Sequence, residues 1–348
     1  MSNKLTLLKY PLLLATAFSF CALVALKPAP VKYKHVKFDK ILGADISFLP
    51  QLESYGRKFY DKGTEKDMLQ ILKDNGFNYI RLRIFNNPAA DSGYSKKGFC
   101  DLQNTLKMAL RIKAAGMGFL LDFHYSDNWA DPGKQHKPAA WKGADYQQLQ
   151  DSLKEFTRNT LLALKAQGTL PDMVQVGNEI NHGMLWPTGN TKHLDTLASF
   201  FKAGIEGVRS VDKSIKIMLH IACGGQNGES RYFVDNMLKR GVKFDIIGES
   251  YYPEWHHTPD SLKRNLTDLS ARYKQDVIVA EYTRHKQEVN DIAFSLPGNK
   301  LKGTFIWEPI NTGEPVFDRK GNTIDSLINL YPAISKNYQI PAATSTEN

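Results

Sequence analysis

Cysteine is scarce in this chain: three residues in 348, namely Cys21, Cys100 and Cys223. So few thiols, in an odd number, exclude the disulfide framework that staples small exported domains. No Cys/His cluster has the spacing of a zinc site. A dinucleotide fingerprint is missing as well, because Gly43-Ala-Asp45, in the first β-rich run, lacks the Gly-x-Gly-x-x-Gly spacing. The net charge of +9 is scattered along the chain. Its one dense cluster, Lys32, Lys34, Lys37 and Lys40, reads as a solvated linker, so no nucleic-acid partner is expected. Long apolar runs are rare too. The run from Pro11 to Leu26 follows Lys4 and Lys9 and is short for a bilayer span, so residues 1–26 read as a secretory leader. An uncleaved membrane anchor is the alternative, and Phe20 before Cys21 is bulky for the usual lipoprotein processing site, so an exported protein (secreted, periplasmic or cell-surface) is expected, with a lipid tether at Cys21 disfavoured but left open.

With no internal repeat or low-complexity tract, what remains fits one large domain. Residues 27–37 read as an N-terminal linker, 38–340 as the domain and 341–348 as a flexible tail. From Ile41 onward, short β-rich runs alternate with amphipathic segments that close on glycine. Strands are predicted at Ile41–Ser47, Tyr79–Phe85, Gly118–His124, Met173–Asn178, Ile215–Ile221, Phe244–Tyr251, Val277–Glu281 and Gly303–Trp307. Helical spacing links Met68, Ile71 and Leu72 before Gly76, and Leu149, Leu153, Phe156 and Leu164 before Gly168. A third helix is marked by Leu194, Leu197, Phe201, Ile205 and Val208, and a closing helix is expected near Ile324–Tyr331. Eight strands with intervening helices predict an α/β fold, a single (β/α)8 TIM barrel of parallel strands with its site at the C-terminal rim. A doubly wound open sheet is the alternative. The barrel would hold Cys100, after the second strand, and Cys223, ending the fifth, too far apart to bridge.

Residues at the C-terminal strand ends then face the site. Those tips carry Asp45 and Ser47, Arg81 and Arg83, Asp122 and His124, Asn178 and Glu179, His220, Tyr251 and Tyr252, Glu281, and Trp307 and Glu308. Two carboxylates on one rim, Glu179 and Glu281, point to glycosidic-bond chemistry; each alone could equally cap a helix or solvate a loop. Trp129, Trp186, Trp255 and Trp307 fall at or just after strand ends, where an aromatic face can stack on a sugar ring or pack in the core.

Five blocks together resemble glycoside hydrolase family 53, the endo-β-1,4-galactanases of clan A. They are Gly43-Ala-Asp-Ile-Ser47, Leu72 to Arg83, Asp122-Phe-His-Tyr-Ser-Asp-Asn-Trp-Ala-Asp-Pro-Gly-Lys-Gln135, Gln175-Val-Gly-Asn-Glu-Ile180 and Gly248-Glu-Ser-Tyr-Tyr-Pro-Glu-Trp255. The resemblance implies Glu179 as general acid/base and Glu281 as nucleophile of a retaining reaction. It implies Arg83 as the second-strand arginine near the nucleophile and Tyr251 as the tyrosine bonded to it, with Asn178 holding the sugar 2-hydroxyl. Asp45, Ser47, His124, Asp127, Trp129, His220, Tyr252, Trp255 and Trp307 are expected to bind substrate. After Glu281 the chain departs from the family's pattern with Tyr282-Thr-Arg-His-Lys286 and a short loop, so the calcium site of some members is not expected, nor any cofactor. The implied activity is a monomeric endo-β-1,4-galactanase acting on pectic galactan. The alternatives are another clan A endo-β-1,4-glycanase acting on glucan or mannan, and a non-catalytic glycan-binding barrel.

Overall fold

The computed structural model describes residues 37–310 and 313–344. The leader and most of the linker, residues 1–36, lie outside them. Eight parallel strands close into a barrel: β1 (Ile41–Asp45), β2 (Tyr79–Ile84), β3 (Gly118–Phe123), β4 (Met173–Val176), β5 (Lys216–Ile221), β6 (Ile246–Tyr251), β7 (Asp276–Tyr282) and β8 (Leu301–Trp307). Each expected strand is present, with ends displaced by a few residues. Asn178 and Glu179 fall beyond β4, in the turn that follows it.

The helices alternate with the strands: α1 (Met68–Asp74), α2 (Leu102–Ala114), α3 (Tyr146–Gln167), α4 (Leu194–Val211), α5 (Asn227–Lys239), α6 (Pro259–Arg272), α7 (Lys286–Ser295) and α8 (Leu330–Asn337). Their ends follow from local chemistry. Asp145 and Gln148 form a reciprocal capping box at the start of α3, and Gly168 closes that helix at φ 81°. Pro259 opens α6 behind the Thr258 cap. The closing helix expected near Ile324–Tyr331 is split into Asp325–Ile328 and α8. Among the described residues no helix is long and apolar enough to cross a membrane.

Strand alternation sorts the core into two layers. Ile80, Leu121, Val174, Leu219, Ile247 and Val279 face the helices, while Ile41, Tyr79, Leu120, Met173, Met218, Ile246, Ile278 and Phe305 fill the barrel. The inner fit is tight: a Cβ on Gly43 would stand 2.2 Å from the Phe305 ring. Phe38 packs against the inner layer from the N-terminal end, edge-on to Tyr79. The segment expected to be a free tail begins by packing there too, since Asn78 Nδ2 donates to Pro341 O and Ala343 is buried. Residues 345–348 lie outside the described residues. Cys100 and Cys223 are free and buried.

One irregularity re-aims a side chain. Between β6 and β7 the register jumps, with Glu249 opposite Val279 and Ser250 opposite Glu281, so Ala280 is an extra residue in β7. The bulge lets Ala280 face the barrel interior while its neighbour Glu281 also points inward, and Tyr282 returns to the helix side.

Candidate active site

Above the apolar floor, the inward positions turn polar and converge on Arg81. Its Nη1 donates to Asp45 Oδ2 at 2.8 Å, Nη2 to Asp122 Oδ2 at 2.8 Å and Asn178 Oδ1 at 2.9 Å, and Nε to Gln175 Oε1 at 3.1 Å. The same Nη1 stands 2.7 Å from Glu281 Oε1. The other Glu281 oxygen accepts the Tyr252 hydroxyl at 2.7 Å. Both expected partners of Glu281 are therefore replaced by neighbours. Arg83 instead pairs with Glu308 at 2.6 Å and lies 4.1 Å over the Trp129 ring. Tyr251 turns to the helix side, where its hydroxyl bonds His257 O at 3.0 Å. Alternation explains the tyrosine: Ile246 faces inward, so Gly248, Ser250 and Tyr252 do, and Tyr251 does not. The two arginines share one face, so only depth in the barrel separates them.

Glu179 leaves β4 through a turn in which Gly177 takes φ 89° and Glu179 itself φ 48°. A non-glycine residue in the left-handed region is strained and must be held by its surroundings. Gln135 does this, its Nε2 donating to Asn178 O at 2.8 Å and Glu179 O at 3.3 Å. Ser250 Oγ bonds Glu179 Oε1 at 2.7 Å. Burial and the nearby Glu281 charge push the Glu179 carboxyl up to about 8, against the Ser250 bond. Burial also raises Glu281, but Arg81 and the Tyr252 hydroxyl oppose it and keep it the more acidic of the two. Asp122 is pushed up by burial, yet Arg81 and His124 outweigh that and hold it below the usual range.

A cavity of about 880 Å³ opens above the pair, walled by Trp129, Trp307, Tyr252, Trp255 and His124 among others. Trp129 and Trp307 meet edge to face at 5.9 Å, and Tyr252 meets Trp307 at 6.3 Å. Trp255 stands 74% exposed at the mouth. His124 accepts Ala130 N on Nδ1 and lies against Trp129, so it buttresses the wall. Four residues expected to bind substrate lie behind the wall. Asp45 binds Arg81, and Ser47 donates to Asp45 and accepts from Arg83 N. Asp127 fastens two loops by accepting Asn87 N and Ala139 N. His220 is fully buried among Gln175, Asn178 and Ser250. Sequence reasoning gave no role to Gln175, Ser250 or Asp122; inward parity along β4, β6 and β3 was the available signal.

Among the described residues no group of three or more His, Cys, Asp or Glu is arranged to hold a metal ion. A buried carboxyl that keeps its proton near neutrality, beside an ionised carboxylate gripped by a guanidinium and a phenol, can give a proton and supply a nucleophile at one locus. The family model described as glycosyl hydrolase family 53 matches residues 41–300. This chain belongs to that family. The family 53 chain is 35% identical over 252 residues to an endo-β-1,4-galactanase of Bacillus subtilis, covering 72% of this chain and 58% of that protein. It is 34% identical over 299 residues to an arabinogalactan endo-β-1,4-galactanase A of Aspergillus niger, covering 83% of this chain and 79% of that one. Its fold is similar to a family 53 catalytic domain of Ignisphaera aggregans, with TM-score 0.79 and 32% identity over 87% of this chain and 98% of that one. This family 53 member is a glycoside hydrolase.

Proposed function

We propose that the protein is a retaining endo-β-1,4-galactanase cutting internal bonds of pectic galactan, exported by its leader-like residues 1–26. The observation that carries the reading is the division of labour between Glu179 and Glu281 at the floor of an aromatic-walled cavity. A Glu281 oxygen attacks the anomeric carbon as the bond to the leaving oxygen breaks, and Glu179 gives that oxygen its proton. The Glu281 ester carries no charge, so one of the causes raising Glu179 vanishes. Glu179 then takes a proton from water, the water oxygen bonds to the anomeric carbon, and Glu281 leaves as carboxylate. Asn178 lines the cavity and its Nδ2 is held by Ala130 O, which leaves a second N–H for a sugar hydroxyl.

An axial 4-oxygen bends a β-1,4-galactan chain, whereas glucan and mannan run straighter through equatorial linkages. A cleft fitted to the bent chain misplaces a straight one at the scissile bond, and small misplacements cost large factors in rate. Purified protein incubated with unbranched galactan is expected to lower viscosity early, release short oligosaccharides and show the β-anomer first by proton NMR. It should release little from cellulose or mannan. Faster cleavage of glucan or mannan would overturn the substrate, and an initial α-anomer would overturn retention.

A further inference from the structure

We propose that His220 and Ser250 form a directed hydrogen-bond chain that keeps Glu179 Oε1 occupied by a donor, so that Oε2 carries the acid proton and later receives the proton of water. The proposal rests on the acid/base reading of Glu179 and assigns Ser250 as a positioning residue for it.

Direction in the chain is set from its far end. Arginine has no acceptor, so the oxygen of the Gln175 amide must face Arg81 Nε, and its Nε2 must donate to Asp122 Oδ1 at 2.6 Å. The second Nε2 hydrogen has His220 Nδ1 as its nearest acceptor at 2.9 Å, ahead of Asn178 Oδ1 at 3.1 Å and Gly177 O at 3.2 Å. A protonated Nδ1 would set two donors against each other there. Asn178 Oδ1, also 2.9 Å from Nδ1, already has a donor for each lone pair, Arg81 Nη2 at 2.9 Å and Gln175 Nε2 at 3.1 Å. His220 is completely buried, and burial with the Arg81 charge keeps its ring neutral. A neutral ring that accepts on Nδ1 must donate from Nε2, which lies 2.8 Å from Ser250 Oγ. The Ser250 hydroxyl hydrogen is then free for Glu179 Oε1 at 2.7 Å. The opposite tautomer would take that hydrogen and leave an ionised Glu179, which deglycosylation requires, facing a lone pair.

A hydroxyl donor favours the ionised carboxyl, so the chain opposes burial and the Glu281 charge. The other charged groups facing Glu179 are Asp131 from the loop after β3 and Arg81 from β2, with the Tyr252 hydroxyl alongside. All of them remain when the serine hydroxyl is removed.

The test is Ser250→Ala, with His220→Gln as second variant. Carbon-13 titration of Glu179 in the free enzyme should show its pKa raised by about one to two units in Ser250→Ala, as expected for one lost bond to a charged group. The basic limb of kcat/KM should move up with it. On an aryl β-galactoside with an activated leaving group, deglycosylation should slow by roughly tenfold or more. kcat and KM then fall together and the glycosyl-enzyme accumulates in the mass spectrum. His220→Gln should move the titration in the same direction by less. Nitrogen-15 NMR of wild-type protein should report a neutral His220 protonated on Nε2. An unmoved Glu179 titration in Ser250→Ala, or an Nδ1-protonated or cationic His220, overturns the proposal; the His220 spectrum alone decides if the variants do not fold. Both spectra are free of substrate, so inactivity on galactan would overturn the substrate assignment without moving either spectrum, and a failed spectrum would overturn the chain without touching activity on galactan.

Discussion

Replacing Tyr252 by Phe removes one hydroxyl and keeps the ring that meets Trp307, so the change isolates the bond to Glu281 Oε2. That bond joins a buried phenol to the nucleophile at 2.7 Å. A hydrogen bond to a charged group contributes about 1.5–3 kcal/mol. At about 1.4 kcal/mol per factor of ten, kcat/KM on a galactan oligosaccharide should fall roughly 10- to 150-fold. The sign of the pH effect follows from the same bond. The Tyr252 hydroxyl favours the Glu281 carboxylate against burial, so its removal raises the Glu281 pKa and moves the acid limb of kcat/KM to higher pH. Tyr251→Phe is the control, since its hydroxyl meets only a backbone carbonyl on the helix side. It should melt a few degrees lower at most and keep kcat/KM within about threefold, because a neutral hydrogen bond contributes about 0.5–1.5 kcal/mol. Steady-state reducing-end assays over a series of pH values measure the kinetic effects, and thermal unfolding measures the stability of the control. Equal losses in the two variants, or an acid limb that stays in place in Tyr252→Phe, would refute the placement of Tyr252 on the nucleophile.

Arg81→Met strips the counter-charge from three buried carboxylates, which should cost about 3–5 kcal/mol, lower the melting temperature by roughly 6–20 °C and abolish turnover. Arg83→Lys loses the planar group that bonds Glu308 and Tyr94 together and stacks on Trp129, so oligosaccharide kinetics should show KM rising more than kcat falls. Glu249, buried between β6 and the helices and bonded by Ser230 and Asn265, is pushed up to about 8 by burial. The folded chain therefore holds a proton that the unfolded chain releases near the ordinary carboxyl range. Its contribution is full below that range and is lost as pH rises through about 8, so melting temperatures of Glu249→Gln should fall less steeply with pH than wild type.

The barrel was legible because parallel strands buried on both faces read as unbroken apolar runs, as in Val277-Ile-Val-Ala280. Glu179 and Glu281 were legible because each closes such a run. Their partners were less so. Arg81 and Arg83 share a face, and the choice depends on how deep each lies against a strand almost two hundred residues away. Strand parity alone would have chosen Tyr252 over Tyr251. The Ala280 bulge has no sequence signal, yet without it Glu281 would turn toward the helices. Asp127, inside the Asp122–Gln135 block, fastens loops at backbone amides. Nothing in residue type separates that role from sugar binding.

Arg81 meets oxygens contributed by β1, β3, β7 and the end of β4, all from one guanidinium at the barrel mouth. Mechanically this is a cross-tie. Strands that hydrogen-bond only to their neighbours around the ring are also fastened across its diameter, so the mouth cannot breathe without breaking several charge-assisted bonds together. Motion that accompanies turnover is then pushed outward, to the loops that carry Trp255 and Arg284. The chemical centre is thereby held still while substrate threads and product leaves, and turnover of a long chain is expected to depend on those outer segments more than on the barrel mouth.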